Sequence, residues 1–93
     1  MFLHVTGVEY LADYKLKLTF NNGAVGVVDL EAELYGKIFT PLRDKPLFKQ
    51  VFLTSRTIEW PNEADFAPEF LFELARLDFE PGQAELAASP PSR

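Results

Sequence analysis

In residues 14–20, YKLKLTF, the apolar side chains Tyr14, Leu16, Leu18 and Phe20 alternate with the polar Lys15, Lys17 and Thr19. A two-residue period places the two sets on opposite faces, so this segment predicts a strand with one wet face. Asn21-Asn22-Gly23 follows, and Asn-Gly supplies the positive φ angles that a tight hairpin turn requires. The next run, AVGVVDL at 24–30, is apolar on both faces, the pattern of a strand nearer the centre of a sheet. Residues 13–30 therefore predict a β-hairpin. Residues 2–11 predict a third strand, with Gly7 permitting a bulge or kink.

Helical signals interrupt this pattern. Asp29 precedes LEAELYG, where a carboxylate can accept from the free N–H groups of a short helix at 30–35 and Gly36 can end it in a left-handed conformation. Thr40-Pro41 and Asp44-Lys45-Pro46 are two further starts, predicting a helix at 45–50. VFL at 51–53 and TIEW at 57–60 flank the turn TSR and predict a second hairpin. The stretch EWPNEADFAPEFL at 59–71 ends that hairpin and opens another helix near Pro68, with Asp65 placed to cap it and Glu69 near the positive end of its dipole. Phe70, Leu71, Leu74 and Ala75 form the apolar stripe, while Glu69, Glu73 and Arg76 lie on the other side, Glu73 and Arg76 three apart. The sum is an α+β fold: one small antiparallel sheet of about five strands, two hairpins plus an N-terminal strand, with two or three short helices packed on it. Residues 1–78 form a single domain, and the small, polar, proline-bearing 79–93 read as a flexible tail.

Composition narrows the chemistry. A chain of 93 residues buries only about 60–65% of its unfolded surface, so its core depends on nine phenylalanines, three tyrosines and one tryptophan. With no cysteine and one histidine, His4, a disulfide framework, a thiolate metal site and a His-rich zinc centre are all disfavoured. No cofactor and no metal are expected. No apolar run reaches the roughly 18 residues of a membrane span, and MFLHVTGVEYL carries no basic leader, so a cytoplasmic location is the expectation. The net charge of −5 is uneven: residues 1–58 hold six acids and seven bases, residues 59–93 eight acids and two bases. Between Lys37 and Arg56, five bases face only Asp44. A basic middle and an acidic end can steer an oppositely charged protein, although an ordinary solvated exterior accounts for the same pattern.

Two long, ordered motifs carry a family resemblance. DYKLKLTFNNGAVGVVDL, followed by a spaced F..L.D...F..V pattern and by WPNEADFAPEFL, resembles the bacterial family of unknown function DUF2442 over most of residues 3–74. Members commonly show Trp-Pro-Asn-Gly-Ala-Asp and then Ala-Pro-Glu. Trp60, Pro61, Asn62, Ala64, Asp65, Ala67, Pro68 and Glu69 match, whereas Glu63 replaces the glycine, which suggests a different turn geometry. The resemblance implies a small α+β domain with no established activity, similar to partner proteins found in toxin–antitoxin-like pairs. Some longer relatives continue into a helix-turn-helix DNA-binding domain; here a proline-bearing segment stands at 79–93 instead, so DNA binding by that route is not expected.

Three function classes follow. The leading one is a non-enzymatic protein-interaction module, antitoxin-like in the sense the resemblance implies, whose acidic face near Asp65, Glu69 and Glu73 meets a basic partner protein. Trp60 has two readings, a cover over the floor where helix meets sheet or an aromatic anchor at the centre of that face. The second class is an enzyme using Asp65 and Glu69 as an acid–base pair; no nucleophile–base set, phosphate-binding loop or metal cluster accompanies them. The third is a regulatory accessory that binds nucleic acid through 37–56, where Phe39, Phe48 and Phe52 interleave with the bases but are better explained as core. Self-association into a homodimer through an open sheet edge is compatible with all three.

Overall fold

In the computed structural model, which describes residues 2–78, the alternating segment forms β2 (Lys15–Phe20). It lies between β1 (Val5–Ala12) and β3 (Val25–Asp29) in an antiparallel sheet of order β1-β2-β3. Leu16, Leu18 and Phe20 are buried on its inner face and Lys15 and Lys17 are exposed on the other. β1 slips register between Val5 and Gly7 and again between Tyr10 and Ala12, so the bulge expected at Gly7 is present.

The doubly apolar run is not the central strand. β3 is an edge, and Val25 and Val27 on its outer face are 49% and 39% exposed. Its apolarity serves a different contact: the inner face packs under a helix, and a Cβ at Gly26 would lie 2.9 Å from the Ala75 Cβ. Glycine is there because the helix comes that close. The β2–β3 turn also departs from a two-residue Asn-Gly hairpin. Phe20 N–H donates to the Ala24 carbonyl at 2.9 Å and Gly23 N–H to the Phe20 carbonyl at 3.0 Å. That is a three-residue loop in which Gly23, at φ 89°, alone takes the left-handed conformation.

Instead of one sheet of about five strands, the described residues form two sheets of three. The second has order β4-β5-β6, from Phe52–Leu53, Ile58–Glu59 and Asp65–Phe66. β4 and β5 are the expected second hairpin. β6 is the addition: the turn after Trp60 folds Asp65 and Phe66 back onto β5, pairing Ile58 with Phe66 and Glu59 with Asp65. Two-residue strands are too short to extend the longer sheet, and the backbone joins the two through Val5 N–H donating to the Arg56 carbonyl at 2.8 Å.

The helices are shorter than the sequence suggested. Over 30–35 only a 3-10 turn forms, Glu31–Glu33. The Asp29 carboxylate accepts from Glu31 N–H at 3.0 Å, and Gly36 is left-handed at φ 85°. A second 3-10 turn, Thr40–Arg43, leads into α1 (Lys45–Phe48), not a helix running to 50. α2 spans Pro68–Asp78. Asp65 does not cap it, being a strand residue of β6. Pro68, Leu71 and Ala75 are buried in α2, with Phe72 edge-on to Phe20 at 5.2 Å. One core joins both sheets and α2, and includes Val28, Leu30, Leu42, Phe48, Ile58 and Trp60. The tail assigned to 79–93 lies outside the described residues.

Candidate functional site

Trp60 is fully buried. Its indole N–H donates to the Phe48 carbonyl at 2.8 Å, which satisfies the one polar atom a buried tryptophan must satisfy. The ring lies 5.5 Å from Phe48 and meets Phe66 edge-on at 6.0 Å. Of the two readings of Trp60, the cover at the floor is where the side chain sits, with no surface left for a partner to touch.

What Trp60 supports is more informative. Phe66, held from below by the indole, stacks on Phe39 at 4.5 Å and on Phe70 at 5.6 Å, with interplanar angles of 19° and 21°. These rings line an open groove of about 350 Å³ together with Tyr35, Ala67 and two carboxylates, Glu33 and Asp65. Tyr35 is 69% and Phe70 39% exposed, large apolar surface that a small domain normally hides. The groove forms because three short elements meet there: the chain after the Glu31–Glu33 turn brings Tyr35 and Phe39, β6 brings Asp65 and Phe66, and α2 brings Phe70 four residues later. Asn62 ties two of them together, its Nδ2 donating to the Ile38 carbonyl at 3.0 Å.

Among the four residues singled out in the sequence, Asp65 alone lines the groove. Glu69 is exposed in the first turn of α2. Glu73 pairs with Arg76 at 2.8 Å, as its spacing predicted. Glu33, Tyr35, Phe39, Phe66 and Phe70 were not singled out for this site. Phe70 had been given to the helix's buried stripe, and Phe39 to the core; Phe39 is half-buried at the groove wall. Phe48 is core, but Phe52 is 44% exposed on β4. A usable signal was the spacing of Phe66 and Phe70 around Pro68, which a helix start turns toward one side.

The basic middle segment is largely engaged by the fold. Lys45 pairs with Asp13 at 3.0 Å and sits over the Tyr14 ring at 5.6 Å, while Lys49 sits over Tyr10 at the same distance. The Lys45 hydrogen bond and charge hold the Asp13 carboxyl below the usual carboxylate range, and Asp13 raises Lys45 in return. Arg43 points its Nη1 at the Glu31 and Leu34 carbonyls, 3.4 Å from each. Three of the five bases thus have local partners, which leaves fewer for a phosphate backbone.

Among the described residues no group of three or more His, Cys, Asp or Glu is arranged to hold a metal ion, and no helix is long and apolar enough to cross a membrane. No curated protein and no solved structure shows significant similarity to the chain. The model of the family described as "Protein of unknown function (DUF2442)" matches residues 5–76, and with that span the chain belongs to that family.

Proposed function

We propose that this protein is a non-enzymatic protein-interaction module that receives a basic partner in the groove between β6, α2 and the chain after Glu33. The observation that carries the reading is the pairing of exposed aromatic surface with two carboxylates in one concave site. Aromatic side chains enriched at interface centres supply contact area, and charge of one sign selects the partner and speeds its arrival. In its finer form the partner is a second small, basic protein that the groove masks, as in an antitoxin-like pair. An acid–base pair works when the environments of two carboxylates drive their proton affinities apart; Asp65 and Glu69 are both exposed, which favours recognition over catalysis.

The test is affinity purification of the full chain from native cells beside a Phe70→Ala/Asp65→Lys variant whose circular dichroism matches the parent. A stoichiometric basic protein held by the parent and lost by the variant supports the reading. Retention of the same protein by both, or recovery of none, defeats it. Light scattering on the purified chain separates a homodimer, which would pair along the β3 edge and leave the groove free.

A further inference from the structure

We infer that the groove reads an arginine side chain, in preference to lysine, on an exposed segment of the partner protein; this rests on the interaction reading above. At about 350 Å³ the groove is near the lower end of ligand-sized sites, enough for one or two large side chains and no more. Its surface offers aromatic rings and two carboxylates. Glu33 and Asp65 come from different walls, and neither takes part in an ion pair among the described residues, where the pairs are Asp13–Lys45 and Glu73–Arg76.

That combination suits a guanidinium better than an ammonium. The guanidinium is planar and weakly hydrated, stacks on ring faces, and spreads its donors so that carboxylates on two sides can be reached at once. An ammonium is a compact, strongly hydrated charge that gains less from the rings. Part of the groove wall is set in advance: the buried Phe66 is held by Trp60 and Phe39 and gives the exposed Phe70 ring a fixed neighbour to stack on, which lowers the ordering left for binding. Beyond Tyr35 a second open depression is lined by Asp29, Glu31, Leu34 and Leu74. It continues the mixture of acid and apolar surface and would seat an apolar neighbour of the arginine. Arg43 lines that depression too, with its guanidinium directed at backbone carbonyls. Lys37 is not part of the groove lining.

The experiment uses the full chain and end-capped peptides Gly-Leu-Arg-Leu-Gly, Gly-Leu-Lys-Leu-Gly and Gly-Leu-citrulline-Leu-Gly, with free arginine amide as a fourth probe. Titration is followed by amide chemical shifts. The arginine peptide should move the resonances of Phe66, Ala67 and Phe70, the lysine peptide should bind about five- to tenfold more weakly, and citrulline should lose binding. A Glu33→Gln/Asp65→Asn variant with unchanged fold should bind both peptides more weakly than the parent, with the arginine preference reduced to what the rings alone supply. Equal affinity of the parent for arginine and lysine peptides would overturn the inference, as would full binding by the double variant. Absence of shifts at the groove, or free arginine amide binding as tightly as the peptide, would overturn it too. A partner that co-purifies with the parent but does not distinguish the double variant would remove the arginine assignment and leave the broader interaction reading standing.

Discussion

Residues 20–24, Phe-Asn-Asn-Gly-Ala, and residues 60–64, Trp-Pro-Asn-Glu-Ala, make the same turn in different parts of the molecule. Each opens on a buried aromatic whose N–H donates to the alanine carbonyl, at 2.9 Å from Phe20 and 3.0 Å from Trp60. The fourth residue returns its N–H to the aromatic carbonyl, at 3.0 Å in the first turn and 2.8 Å in the second. The asparagine side chain accepts the alanine N–H, at 3.0 Å for Asn22 and 3.2 Å for Asn62. Both fourth residues are left-handed, Gly23 at φ 89° and Glu63 at φ 72°. Where the family commonly has glycine, Glu63 takes the left-handed position that Gly23 takes in the first turn. Three hydrogen bonds and a buried aromatic hold the backbone where glutamate alone would rarely go, at a cost on the order of 1 kcal/mol. A local preference is overridden when the neighbours leave the backbone one way to satisfy its donors.

The turns differ in what they anchor. The first ties down the N-terminal segment: Asn21 Oδ1 accepts from His4 N–H at 2.9 Å and its Nδ2 donates to the Phe2 carbonyl at 2.8 Å. The second carries the groove, through Trp60 beneath Phe66 and through Asn62 to Ile38. Removing the second turn's aromatic should have the largest effect. Trp60→Ala deletes the indole and leaves the Phe48 carbonyl with only the longer bond from Val51 N–H at 3.3 Å, a loss of about 3–5 kcal/mol that comes mainly from the cavity. Small domains have only about 5–15 kcal/mol in total, so urea denaturation should show a sharply lowered midpoint. A loss below about 1 kcal/mol would contradict a load shared by both sheets and the groove.

These contrasts show what could be read from the chain. The hairpin at 13–30 was legible because alternation and Asn-Gly act locally, within a few residues of one another. The placement of β3 at an edge was not, because the apolar pattern does not say which faces are covered: the helix at Gly26 covers the inner face, while Val25 and Val27 stay exposed on the outer one. β6 was missed for a related reason. Asp65 has the chemistry of a helix cap, and only the hydrogen bonds of the preceding turn fold it onto β5. The groove was half legible. Asp65 stood out by charge, but Glu33, Tyr35 and Phe39 arrive from some thirty residues away in sequence, and no local period connects them to Phe66.

A reciprocal exchange sharpens the comparison at an intermediate scale. Glu63→Gly should stabilise the protein by about 0.5–1 kcal/mol, because relief of the left-handed strain exceeds the extra entropy glycine brings to the unfolded chain. Gly23→Glu should destabilise by a similar amount, about 1 kcal/mol, while the hairpin bonds persist. Both are read as shifts in denaturation midpoint at constant slope. If Glu63→Gly were destabilising, the Glu63 side chain would have to make a contact worth more than its strain.

The smallest effect concerns the third turn. Asp13, between β1 and β2, is left-handed at φ 50° without glycine, and its carboxylate reaches Lys45 at 3.0 Å across 32 residues of sequence. Its proton affinity is lowered on folding by that hydrogen bond and charge, so its contribution to stability is complete above the ordinary carboxylate range and is lost as pH falls through the lowered folded value. Lys45 is raised by the same contact; its contribution is complete below the ordinary lysine range and is lost as pH rises through the raised folded value. The pair therefore stabilises across neutral pH and fades at both extremes. Both groups are solvent-exposed, so the contribution is small and screened by salt. Asp13→Asn isolates it, since asparagine also tolerates the left-handed backbone. The midpoint difference between parent and variant should be measurable at neutral pH and shrink progressively as pH falls through the lowered folded value of Asp13. It should also narrow in 1 M salt, where the Debye length is about 3 Å. A gap that persisted unchanged at acid pH would mean that Asp13 acts through its backbone turn, as Glu63 does, and that the ion pair adds nothing to it.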